Sequence, residues 1–151
     1  MPSFKSVFIN LPVADLARSR RFLEALGATN NPQFSDDTAA CMMISEAIGV
    51  MLLTHDKFRA FTPRPIADAT AASEVLLALT CDSRAAVDTI AAAAGEAGGT
   101  LDIAPPQDHG FMVSRSIADP DGHIWELFWM DMAQVPADPS QAAAPAPTEH
   151  A

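Results

Sequence analysis

Positive charge is scarce in this sequence: nine Lys and Arg stand against nineteen Asp and Glu, for a formal net charge of −10. Nucleic acid and anionic membrane surfaces both need clustered positive charge, so neither is expected as a partner. Cysteine is scarcer still. Cys41 and Cys81 lie far apart in apolar runs, which makes neither a zinc site nor a disulfide framework, and they read as buried free thiols. No apolar run approaches the ~20 residues that span a membrane. Met1–Leu11 lacks the charged, apolar and cleavage regions of a signal peptide, so a cytoplasmic location is expected. What is plentiful is apolar residues, 49% of the chain. That is enough for one well-cored domain or for two small modules sharing a core, with the acidity serving solubility.

The most informative stretch is Asp119–Met130, D-P-D-G-H-I-W-E-L-F-W-M. Its first four residues are turn chemistry: Pro fixes φ, the Asp side chains bond nearby amides, and Gly accepts a positive φ. A strand follows, with Ile124, Glu126, Phe128 and Met130 on one face and Trp125, Leu127 and Trp129 on the other. Both faces are apolar, so both are covered. Glu126 is the anomaly, because a carboxylate among large apolar neighbours needs a cation, a metal or a donor to stay ionised.

Along the chain, Phe4–Leu11 reads as a strand ended by Pro12. Asp15 caps a helix over Leu16–Leu26, whose Leu16, Phe22, Leu23 and Leu26 recur at helical spacing, and Gly27 closes it. Its Arg18, Arg20 and Arg21 read as a solvated face. Strands are expected at Ala28–Ser35, Thr38–Ser45 and Ile48–Thr54. Residues 55–73 are a polar, Pro-containing connector or lid, in which Phe58 and Phe61 either close over a site or pack the connector down. Order resumes with a strand at Glu74–Asp82, then a helix capped by Ser83 and running to about Gly95. Strands at Thr100–Ala104, Gly110–Ala118 and His123–Met130 complete the series. The order β-α-β-β-β thus occurs twice, and two copies fit a paired-module domain rather than a solenoid. The expected organisation is a domain over 1–132, with module one at about 3–54, the connector at 55–73 and module two at 74–131. Residues 133–151, rich in Ala and Pro, are expected to be a disordered tail.

With the repeat, Leu11–Gly27 (L-P-V-A-D-L-A-R-S-R-R-F-L-E-A-L-G) and the closing D-P-D-G-x-x-x-E in view, the chain resembles the vicinal-oxygen-chelate superfamily over about residues 3–131. That superfamily includes glyoxalase I, the bleomycin- and fosfomycin-resistance proteins and the extradiol dioxygenases. The resemblance implies an α+β fold in which two paired βαβββ modules form a curled, mixed-sheet cup with helices outside, often completed by a second subunit, and a homodimer is expected. It also implies, in metal-dependent members, one divalent ion held from the first and last strands of both modules. Those positions fall here at Phe8, Leu52, Leu76 and Glu126. Three of the four cannot bind metal, and a single carboxylate does not hold a divalent ion tightly, so no cofactor is expected. Any metal site would join Glu126 to one or more of His55, His109 and His123.

Three roles stay open for Glu126: a structural ion pair, for instance with Arg115; a ligand anchor; and a general base. The inferred cup face, carrying Ser6, Phe8, Asn10, Val50, Leu52, Thr54, Leu76, Ala78, Thr80, Ile124 and Phe128, is mostly apolar with a few polar tips. Such a surface suits a small organic ligand, with Phe8, Leu52, Leu76, Ala78 and Phe128 as walls and Asn10, Thr54 and Glu126 orienting it. The methionines of these strands read as core filler. Three functions compete. The first is a metal-free small-molecule binder; the second, a lyase like lactoylglutathione lyase or a dioxygenase-like enzyme with a non-standard ligand set and Glu126 catalytic; the third, a structural or regulatory partner domain.

Overall fold

The computed structural model describes residues 1–138 and 140, so most of the expected tail lies outside the described residues. The first module runs β1 (Val7–Val13), α1 (Leu16–Ala25), β2 (Thr29–Asn31), a 3₁₀ turn at Pro32–Phe34, β3 (Ala39–Met43) and β4 (Ile48–Thr54). A short helix, α2 (His55–Arg59), then opens the connector. The second module runs β5 (Leu76–Thr80), α3 (Arg84–Glu96), β6 (Thr100–Leu101), β7 (Gln107–Asp108), β8 (Met112–Ala118) and β9 (Ile124–Met130). The strands form two mixed sheets, β1-β4-β3-β2 and β5-β9-β8-β6, with β7 also pairing β8. In each sheet the first and last strands of the module run parallel and side by side, leaving β1 and β5 as open edges. The class is α+β, as the doubled β-α-β-β-β pattern implies.

The helices form where local chemistry calls for them. Asp15 accepts from the Arg18 amide at 3.0 Å and Ser83 from the Ala86 amide at 3.1 Å, satisfying first-turn donors that have no partner inside the helix. Helix α1 lies on the first sheet and α3 on the second, and the two touch each other. One core joins both modules: Leu11, Val50, Phe22 and Leu23 belong to the same buried cluster as Val87, Ala91, Ile117 and Trp125.

Several boundaries differ from expectation. Strand β1 starts at Val7 and passes through Pro12, which stands opposite Leu53. A proline is tolerated there because β1 is an edge strand, so the missing N–H leaves no ladder bond unmade. Strand β2 is only Thr29–Asn31 because Pro32 turns the chain into the 3₁₀ segment, whose Gln33 amide bonds the Asn31 side chain. Strand β6 stops at Leu101, where Asp102 takes a left-handed φ of 56° and bonds Arg115. The short β7 falls in a loop that the sequence marked only by Pro105 and Pro106.

Candidate functional site

Pairing across the strands settles which residues share a face. In the second module Leu76, Ala78 and Thr80 stand opposite Ile124, Glu126 and Phe128, all on the face away from α3, while Leu77, Trp125 and Leu127 join the core. In the first module Phe8, Asn10 and Pro12 stand opposite Gly49, Met51 and Leu53. Leu52 pairs with Leu11 and Thr54 with Val13, on the helix side. The expected placement of Val50, Leu52 and Thr54 beside Phe8 and Asn10 is therefore corrected by one residue. Leu52 is a 1% exposed core residue, and the Thr54 hydroxyl accepts from the Lys57 amide as the cap of α2. Alternation alone could not reveal this, because I-G-V-M-L-L-T is apolar on both faces and its parity is fixed only by the register with β1.

The helix-free faces carry the other expected residues. Phe8 is half-exposed and its ring lies across Gly49, where a Cβ would fall 2.5 Å from it, so only glycine permits that approach. Leu76 is 53% exposed, and Ala78 and Asn10 are exposed as well. Glu126 lies between Ala78 on β5 and Ser116 on β8, partly exposed, with no hydrogen bond or ion pair among the described residues. Its suggested partner, Arg115, stands opposite Leu127 on the other face. There it donates to Asp102 at 2.8 Å and to Asp88 at 3.1 Å. The hydrogen bond from Arg115 holds the Asp102 carboxyl below its usual pKa. The structural reading of Glu126 as Arg115's partner is thus corrected, since neighbouring strands still place alternate residues on opposite faces.

The turn before Glu126 is fully engaged. Asp119 is 7% exposed: one carboxylate oxygen accepts from the Asp121 and His123 amides, both at 3.0 Å, and the other from the Trp125 indole at 3.3 Å. Burial nevertheless pushes its pKa up, against the opposing pull of His123 and these donors. Asp121 reaches into the first module, accepting from the Ala14 amide at 2.8 Å and the Ser19 hydroxyl at 3.0 Å, with Arg18 at 3.5 Å. His123 Nε2 lies 2.9 Å from the Pro12 carbonyl, to which it donates. Gly122 has φ +97°, and a Cβ there would fall 2.8 Å from the Thr70 amide nitrogen, so the connector also closes on this turn.

A cleft of about 430 Å³ opens beside this seam, between β1, the connector and the starts of β5 and β9. Its walls include Ile9, Leu11, Phe58, Val75, Leu77 and Ile124, and its polar groups include Asn10, Thr62, Arg64, Glu74 and His123. Of the residues expected to bind a ligand, it contains Asn10. Ile124 belongs to it and lies two residues from Glu126 on the same strand face, about 7 Å along β9. The sequence reading missed Arg64 because it kept only the phenylalanines of the connector in view, and Glu74 because it placed that residue at the start of a strand that begins instead at Leu76. A smaller recess of about 270 Å³ is lined by His55, Arg59, Asp68, Asp121 and His123. His109, beside Phe111 with ring centroids 6.5 Å apart, belongs to neither opening.

Comparison with known proteins now decides the family. The model of the glyoxalase/bleomycin resistance protein/dioxygenase superfamily matches residues 5–127. The chain belongs to this superfamily. Among solved structures, a hypothetical protein from S. aureus is 26% identical with TM-score 0.70, over 85% of this chain and 95% of that one. A fosfomycin resistance protein from Mesorhizobium loti is 21% identical with TM-score 0.62, over 85% and 93%. An antibiotic-binding protein from Streptomyces is 18% identical with TM-score 0.59, over 86% and 98%. No protein of curated function matches the sequence. Two features that define this superfamily member in sequence, Leu11–Gly27 and Asp119–Leu127, prove to touch each other through Asp121 and His123.

The superfamily's divalent ion does not fit the residues present. Of the four positions that the resemblance implies for it, Leu52 faces the core, with Met51 standing opposite Asn10 on the helix-free face, and among Phe8, Met51, Leu76 and Glu126 only the last carries a metal-binding oxygen. Among the described residues no three His, Cys, Asp or Glu side chains are grouped to hold a metal. Both cysteines are buried, and burial raises their thiol pKa values. No helix among the described residues is long and apolar enough to cross a membrane.

Proposed function

We propose that this protein binds a small organic molecule, without the superfamily's usual divalent ion, in the cleft at the module seam and along the adjoining face toward Glu126. The observation that carries this reading is the cleft itself: about 430 Å³, walled by apolar side chains with a few convergent polar groups, the form that small-molecule sites take. Glu126, with no partner among the described residues and on the same strand face as Ile124, serves there as an anchor for a donor on the ligand. The two relatives named for fosfomycin resistance and antibiotic binding support a binder as readily as an enzyme. A cytoplasmic location, supported by two buried free thiols, completes the reading.

A homodimer belongs to the same proposal. Among the described residues nothing pairs with the outer edges of strands β1 and β5, and Phe4, Val7, Phe8, Val75 and Leu76 beside them are exposed. Open apolar edges are the surfaces that second strands cover.

A fragment screen by thermal shift, wild type beside Ala72→Trp, tests the binding reading. Ala72 is exposed and lines the cleft, so tryptophan there obstructs the cleft without disturbing the core. Fragments that raise the melting temperature of wild type and not of the variant support the reading; shifts identical in both overturn it. Elemental analysis of protein purified without chelator, beside Glu126→Gln, tests the metal-free part. Stoichiometric metal in wild type that is lost in the variant replaces it with the lyase-like or dioxygenase-like alternative, with His55, His109 and His123 as the next ligands to substitute.

A further inference from the structure

The seam cleft is lined by one guanidinium and one carboxylate, Arg64 and Glu74. Acids outnumber bases nineteen to nine, so a guanidinium here has every opportunity to find a carboxylate. Most do. Arg18 pairs with Asp121, Arg20 with Glu24, Arg59 with Asp56, Arg84 with Asp108, and Arg115 with Asp88 and Asp102. Arg21 and Arg64 have no ion pair among the described residues, and neither have many of the acids, Glu74 among them; of these, Arg64 and Glu74 line the seam cleft, where they do not pair with each other. Asn10, on β1 and also lining the cleft, is likewise without a side-chain hydrogen bond among the described residues.

We infer that the cleft takes a zwitterion of the amino-acid type with an apolar side group, its carboxylate on Arg64 and its ammonium on Glu74. This rests on the cleft being the binding site proposed above, and it adds the chemical class. A guanidinium presents paired donors that match a carboxylate, and a carboxylate accepts from an ammonium. A ligand carrying only one charge would engage one of these residues and leave the other to solvent. A ligand carrying both engages the cleft's guanidinium and its carboxylate at once. The apolar group then lies against Ile9, Phe58, Leu77 and Ile124, and Asn10 adds a donor and an acceptor to the polar end. The cleft volume suits a single aromatic amino acid.

Four probes of one shape test this by titration calorimetry on the full chain: L-phenylalanine, 3-phenylpropionate, 2-phenylethylamine and 3-phenylpropanol. Phenylalanine is expected to bind tightest, and loss of either charge to weaken binding roughly three- to tenfold. Arg64→Gln should weaken phenylalanine and phenylpropionate and spare phenylethylamine; Glu74→Gln should weaken phenylalanine and phenylethylamine and spare phenylpropionate. Both residues are exposed, so neither variant threatens the fold. If phenylpropanol binds as tightly as phenylalanine, and Ala72→Trp removes both, the cleft reading stands and the zwitterion falls. If phenylpropionate binds tightest and Glu74→Gln strengthens it, the ligand class is a simple anion and the inference is overturned. Absence of saturable binding by all four probes overturns it too, and fragment shifts that ignore Ala72→Trp take the cleft reading with it.

Discussion

The two ends of the stretch Asp119–Met130 behave as opposites. At its start, every charged or polar side chain is committed: Asp119 to two backbone amides and an indole, Asp121 to the first module's Ala14, Ser19 and Arg18, His123 to the Pro12 carbonyl. A few residues on, Glu126 has no partner among the described residues. Both ends belong to one recognisable family motif, and the geometry divides it by purpose. The turn welds the modules together; the strand presents a carboxylate. A motif that identifies a family is therefore not uniformly a motif of its chemistry, and stability and binding should separate cleanly when its two ends are substituted.

The largest effect belongs to Asp121. Asp121→Ala removes the acceptor of the Ala14 amide and the Ser19 hydroxyl, both near the start of α1, and the partner of Arg18. Unpaired donors at that seam should cost about 2–4 kcal/mol, read as a lower urea midpoint. An unchanged midpoint would mean the seam is held by the shared core alone. The comparison sharpens further with Asp119, whose pKa burial raises. A folded-state pKa above the unfolded value favours the fold when the group is protonated. The contribution is fully present below about pH 4 and is lost as pH rises through the folded value. The stability difference between wild type and Asp119→Asn should accordingly shrink or turn against wild type from about pH 4 upward, by about 1.4 kcal/mol per unit of pKa difference. A difference that grows with pH would show that the three donors outweigh burial.

These seam contacts explain how much was legible in the sequence. The two helices, their caps and the doubled order could be read because Asp15, Ser83 and Gly27 act on their own neighbours, and local chemistry writes itself in local sequence. The second module's faces could be read too, since Glu126 breaks an otherwise apolar strand. In the first module β4 offers no such break, and the error over Leu52 and Thr54 followed. The cleft was least legible of all. Arg64 sits in a connector without periodicity and Glu74 just before β5, and what draws them together with Ile9 and Ile124 is the closure of that connector over Gly122.

A smaller effect tests the helix side of the second sheet. Arg115 bonds Asp102 and lowers its pKa, so this pair stabilises the fold above the unfolded carboxylate value, about 3.9, and the contribution is lost as pH falls through the depressed value. Asp102→Asn keeps a residue suited to the left-handed φ of 56°, which isolates the charge. It should cost under about 1 kcal/mol at pH 7 and progressively less as pH falls below about 3.9. That trend has the opposite sign to the one at Asp119, so urea midpoints across the same pH series distinguish the two carboxyls within one protein.

The smallest effect on stability should come from the residue of greatest chemical interest. Glu126 makes no hydrogen bond among the described residues, is partly exposed, and stands between Ala78 and Ser116, neither of which carries a charge. Glu126→Gln keeps its size and should move the unfolding free energy by no more than about 0.5 kcal/mol. If it instead destabilises by 2 kcal/mol or more, as loss of a charged hydrogen bond does at about that magnitude, the carboxylate has a structural partner and its place as a ligand anchor is gone. If stability holds while a cleft-bound fragment loses affinity, the motif divides as its geometry indicates, with Asp121 and His123 holding the modules in register and Glu126 left free to meet what binds between them.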